Sequence, residues 1–169
     1  MSILKNVTEK IGQKKNKKMK IHTGEAFYLW ELLVSRYDSL DKTQLYCEFI
    51  NDKDFLAIVK RGIKKLKNQI NELEDIMTEI GITLPSRPPA KANINNNITM
   101  LKDEMIFRDI HRGIQGYIDL HARAFRSATN KDLRTLFKDY LIEELDMAEQ
   151  LIEYGQLKGW FLVPPPYET

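Results

Sequence analysis

The chain has 169 residues, 43% of them hydrophobic and 30% charged, with 26 basic against 24 acidic side chains. That is enough apolar material for one well-packed domain and argues against a disordered chain. A single cysteine, Cys47, excludes an internal disulfide and a cysteine-based metal cluster, and no apolar run approaches the roughly 20 residues that cross a bilayer. With no secretory leader pattern at the start, the expected location is the cytoplasm.

Residues 1–20 carry seven lysines against the one acid Glu9, so they form a basic arm distinct from the rest. Lys14, Lys15, Lys17 and Lys18 are its densest part, and they can contact an anionic membrane surface or another polyanion. A solvated arm is the simpler reading, because four apolar residues among them, Ile3, Leu4, Val7 and Ile11, bury little area. No aromatic stacking motif or recognition helix accompanies the charge, so specific nucleic-acid binding is not expected.

From residue 21 the periodicity is helical. The first helix opens near Thr23 as N-cap, with Glu25 in the first turn, and Ala26, Leu29, Leu33, Tyr37, Leu40, Gln44 and Cys47 recur at steps of three and four. After a break at Asn51-Asp52, where Asp52 can cap, Phe55, Val59, Ile63, Leu66, Ile70, Leu73, Met77 and Ile80 alternate by four and three. Gly81 followed by Pro85, Pro88 and Pro89 ends this helix and opens a linker over 82–97. A third helix runs from about Ile98 to Ala128, with Gly113 and Gly116 in its middle, where each should mark a close neighbour or a bend. Thr129-Asn130 turns the chain into a fourth helix. Its apolar side carries Leu133, Phe137, Leu141, Leu145, Ala148 and Ile152, and it ends at Gly155 or Gly159 before Trp160, Phe161 and three prolines.

Four amphipathic stripes with no competing strand predict an all-α four-helix bundle over residues 21–169. The linker is long enough to travel the bundle, about 45 Å for fifteen extended residues, so the expected connectivity is up-down-down-up and ferritin-like, with a proline-containing crossover between helices 2 and 3.

Such a bundle raises the question of a di-iron or di-manganese carboxylate centre, which uses Glu-x-x-His on two helices and a glutamate on each of the other two. None of His22, His111 and His121 stands three residues after a glutamate. The pair His22 and Glu25 reads as a helix-end cap. The metal-ligating candidates that remain are Glu104, His111, His121 and Glu144, of which Glu144 can equally pair with Arg108, Arg112 or Arg123 across the bundle. No nucleophile elbow, phosphate-binding glycine loop or redox dithiol is present. The expectation is therefore a non-catalytic protein with no catalytic residue and no cofactor, an iron or manganese oxidoreductase or ligand-sensing bundle being the alternative. Trp160 and Phe161, beside a rigid proline tail, are the expected contact residues for self-association.

Three landmarks carry a resemblance. His22-Thr23-Gly24-Glu25-Ala26-Phe27-Tyr28-Leu29-Trp30, then Gly81-Ile82-Thr83-Leu84-Pro85 with Pro88-Pro89, and last Lys158-Gly159-Trp160-Phe161-Leu162-Val163-Pro164-Pro165-Pro166 resemble the family catalogued as domain of unknown function 3231. It is a group from endospore-forming Firmicutes related to the spore coat protein F type, and the resemblance spans residues 20–167. It implies a ferritin-like bundle that generally lacks the full metal-binding set. It also implies a structural or assembly role in sporulation, with homo-oligomeric or coat-type partners and a forespore or spore-coat location.

Overall fold

A computed structural model describes residues 19–87 and 101–167. The basic arm with Lys14, Lys15, Lys17 and Lys18, and the crossover prolines Pro88 and Pro89, lie outside the described residues. Four helices follow one another: α1 Thr23–Cys47, α2 Lys53–Ile80, α3 Asp103–Ser127 and α4 Lys131–Lys158. No strand occurs among the described residues.

Local chemistry sets the helix ends. His22, not Thr23, is the N-cap of α1: its ring accepts from the backbone N–H groups of Gly24 and Glu25, and Glu25 reaches back to the His22 N–H at 2.9 Å. This reciprocal box satisfies donors that the first helical turn leaves without partners. Asp52 caps α2 and Asn130 caps α4 in the same way, each accepting from two backbone N–H groups. Gly81 and Gly159 end α2 and α4 in the left-handed conformation, at φ 87° and 70°. Past each glycine the chain folds back, Ile82 donating to the Met77 carbonyl at 2.8 Å and Trp160 to that of Gly155 at 2.8 Å. α3 begins at Asp103, five residues later than the periodicity suggests.

Contacts between helices give their directions. Near the start of α1, His22 meets the Ser127 carbonyl at the end of α3, while farther along Tyr46 donates to Asp109 near the start of α3. Asn51 and Asp52, entering α2, donate to Asp103, and Tyr154 and Lys158 at the end of α4 meet Asp52 at 2.7 and 2.6 Å. α1 and α4 therefore run one way, and α2 and α3 the other. α2 ends and α3 begins at opposite ends of the bundle.

The interior divides into two apolar clusters. One, toward the His22 end, joins Leu29, Leu33, Ile70, Leu73, Leu133 and Phe137, all at most 1% exposed. The other, toward the Trp160 end, is built on Phe55, Val59, Ile106, Phe107, Ala148 and Leu151. Each fully buried large side chain contributes about 1.5–3 kcal/mol. Gly113 and Gly116 do not mark a close neighbour: a methyl group on either would meet nothing within 4 Å. The intimate glycine is Gly155, where an added Cβ would lie 2.0 Å from the ring of Phe107.

Candidate functional site: a buried arginine layer beneath a cavity

Between the two clusters the core turns polar. Arg36 on α1, His121 on α3 and Glu144 on α4 are each at most 1% exposed. One Nη of Arg36 donates to Glu144 Oε1 at 2.5 Å and to His121 Nε2 at 2.7 Å, and the guanidinium lies 3.8 Å over the ring of Tyr117. The Tyr117 hydroxyl meets Ser39 at 2.8 Å and the Ser35 carbonyl, which fixes the ring against α1. Toward α2, Gln69 donates to Glu143 and Tyr140 to Glu72, both at 2.8 Å.

Protonation follows from this geometry. Arg36 can only donate, so His121 accepts on Nε2 and carries its proton on Nδ1. Burial holds His121 below its ordinary pKa, and the Arg36 charge acts in the same direction. Burial pushes Glu144 upward, but the Arg36 guanidinium that donates to it more than offsets this and keeps the carboxyl below its ordinary value. The layer is thus an arginine and a carboxylate in balance, with a neutral imidazole beside them. Removing one partner of such a pair costs about 3–5 kcal/mol, because the other is left buried and unpaired.

The four metal-ligating candidates do not meet. Glu104 pairs with Arg108 on the surface of α3. His111 stacks on Phe107 with ring centroids 6.1 Å apart and meets Phe161 edge-to-face at 5.4 Å, in the apolar wrapping of the Trp160 end. Only His121 and Glu144 come together, 3.9 Å apart, and the cation between them is Arg36. A guanidinium occupies the place a metal ion would need, so this donor set does not fit a di-metal centre. Among the described residues no group of three His, Cys, Asp or Glu side chains is arranged to hold a metal. Glu144 pairs with Arg36, not with Arg108, Arg112 or Arg123. Arg36 carried a visible signal: it stands seven residues after Leu29 and three after Leu33, on the apolar stripe itself.

Trp160 and Phe161 are not the exposed rings expected for a contact surface. Trp160 packs edge-on against Phe55 at 5.5 Å and Tyr154 at 5.9 Å, and Arg108 donates to its carbonyl at 3.4 Å. The fold-back at Gly159 turns both rings onto the bundle end. The apolar side chains left in solvent there are Leu157, Leu162, Val163 and Tyr167.

Above the arginine layer a cavity of about 410 Å³ opens among all four helices. Arg36, Tyr117 and Glu144 belong to its lining, with walls that include Ile58, Val59, Leu66, Ile110, Ile114 and Leu151. Gly62 on α2 and Gly113 on α3 also line it, and neither has any atom within 4 Å of where its side chain would be.

No helix among the described residues is long and apolar enough to cross a membrane. In fold, the chain is similar to a "putative spore coat protein" of Bacillus halodurans, with a TM-score of 0.80 at 18% identity, covering 88% of this chain and 95% of that one. It is also similar to a conserved hypothetical protein of Mycobacterium tuberculosis, with a TM-score of 0.66 at 13% identity over 86% of this chain and 98% of that one. In sequence it is 21% identical over 151 residues to the uncharacterised protein YvdQ of Bacillus subtilis, spanning 86% of this chain and 88% of YvdQ. The family model described as protein of unknown function (DUF3231) matches residues 9–169, and the chain belongs to that family.

Proposed function

We propose that this protein is a non-catalytic helical building block that acts by self-association, as a component of a spore coat or of a similar assembly. The observation that carries this reading is the apolar surface at the end of α4: Leu157, Leu162, Val163 and Tyr167 are 81%, 72%, 65% and 91% exposed. They lie close in sequence beside a bundle end already sealed by Trp160 and Phe161, so they are surplus to the protein's own core. Exposed apolar side chains this close in sequence favour contact with another protein, and a second copy of the chain is the partner this reading names. The fold likeness to a protein described as a spore coat component supports the same direction by analogy. The polar interior is consistent with a structural role, since Arg36 holds Glu144 and His121 together across three helices and the layer offers no activated nucleophile.

Sedimentation velocity over a concentration series tests the self-association. Association that rises with concentration and is lost in Leu157→Lys combined with Leu162→Lys supports the reading, and a strict monomer at the highest concentration overturns it. Detection of the protein in coat extracts of purified spores tests the location, which is wrong if the protein stays with the vegetative cells.

A further inference from the structure

We propose that the cavity above the arginine layer is a binding site for a small, uncharged, largely apolar molecule bearing one hydroxyl or primary amide head, which docks against Arg36 and Glu144. Three observations lead there. The cavity's volume, about 410 Å³, falls within the range of small-ligand sites, and its walls are mainly aliphatic. Water against the stretch formed by Ile58, Val59, Leu66, Ile114 and Leu151 finds no polar partner, and an apolar body would displace it there.

The second observation is the state of its polar floor. Glu144 and Arg36 both line the cavity, and each keeps one buried polar atom without a hydrogen-bond partner, Oε2 of the carboxylate and Nε of the guanidinium. One vacant acceptor and one vacant donor suit a head group that donates and accepts at once. At the floor the pair is already balanced in charge, so a carboxylate or ammonium placed directly beside it would be a third charge without a partner there, the cations Lys42, Arg61 and Lys65 bordering the cavity farther out. That selects a neutral head.

The third observation is the glycines. Gly62 and Gly113 sit mid-helix on α2 and α3, where glycine is the poorest ordinary choice, and both border the cavity with open space in front of them. Gly113 is exposed and Gly62 half-buried, so large side chains there would stand at the cavity's opening. Their absence keeps it open at the expense of helix stability.

The experiment uses the full chain and the neutral fluorophore N-phenyl-1-naphthylamine, displaced by three eight-carbon competitors: 1-octanol, octanoate and octylammonium. Octanol should displace the probe at a concentration about tenfold or more below that of either charged competitor, the factor that one additional hydrogen bond to an ionised group supplies. Gly113→Leu should abolish probe binding while leaving the helical circular dichroism intact and raising the melting temperature, and Gly62→Leu should do the same. Unchanged probe binding in both folded variants would overturn the site. Octanoate equal to or better than octanol would overturn the head-group assignment, moving the head to Arg61 and Lys65 at the cavity's outer edge.

Discussion

The two ends of the bundle are closed by different physics. At the His22 end a single buried carboxylate ties the helices together: Glu25, 1% exposed, accepts from the backbone N–H groups of Thr129 and Asn130 at 2.7 Å each and from that of His22 at 2.9 Å. At the Trp160 end the seal is aromatic: Phe55 and Trp160 touch each other and each touches Phe107 and Tyr154, at centroid distances of 5.5 to 6.2 Å. The first depends on a charge and the second on shape. They should therefore fail under different conditions.

Truncating the aromatic seal should have the largest effect. Phe107→Ala should cost about 3–5 kcal/mol, read as a shift in the urea midpoint, because the ring is 1% exposed and its loss leaves a void. Glu25→Ala should cost about 2–3 kcal/mol at neutral pH, since it strands backbone donors of two helix starts. Gly155→Ala comes next, at roughly 1–3 kcal/mol destabilising, because the new methyl collides with Phe107 despite alanine's better helix propensity. Pairing it with Phe107→Leu should recover part of that loss.

Acid distinguishes the ends more finely. Burial pushes Glu25 upward, but the backbone donors of Asn130, His22 and Thr129 outweigh it and hold its pKa below the ordinary 4.5. The folded state thus resists protonation that the unfolded state accepts, so this contribution is complete above about pH 4.5 and is lost as pH falls toward the folded value. Wild type and Phe107→Ala should share a steep loss of melting temperature as pH falls below about 4.5, and Glu25→Ala should make it shallower, the remainder coming from Asp52, Asp109 and Glu144, whose carboxyls are also held low. An unchanged slope in Glu25→Ala would remove the carboxylate as the cause. The smallest effect has the opposite sign: Gly113→Ala should stabilise by about 0.5–1 kcal/mol, or some 2–4 °C in thermal melts, because helix propensity improves and nothing is struck.

What could be read before folding was whatever a short stretch of chain decides. Asp52 as a cap, Gly81 and Gly159 as left-handed stops, and the His22 and Glu25 cap depend on neighbours within a few residues, and each is in place. Four helices followed from their periodicity for the same reason. The layer of Arg36, His121 and Glu144 was half hidden because its closest ion pair joins side chains 108 positions apart. His121 and Glu144 stood out as polar residues beside apolar stripes, but Arg36, between Leu33 and Tyr37 on the stripe of α1, is not among the candidates named from the sequence. On α4 the buried line is Leu133, Phe137, Tyr140, Glu144, Ala148 and Leu151, and Leu145, expected inside, is 48% exposed. Gly113, expected to mark a close neighbour or a bend, stands in open space, and Gly155, one of two expected ends of the last helix, lies inside α4 against the Phe107 ring, because propensity reports the cost of a glycine and not what stands opposite it.

Arg36 has one last consequence. A charge at mid-bundle that is covalently part of the chain cannot be stripped by a chelator or exchanged for a competing ion. The positive charge that holds Glu144 at the centre of the bundle is thus supplied by the polypeptide itself.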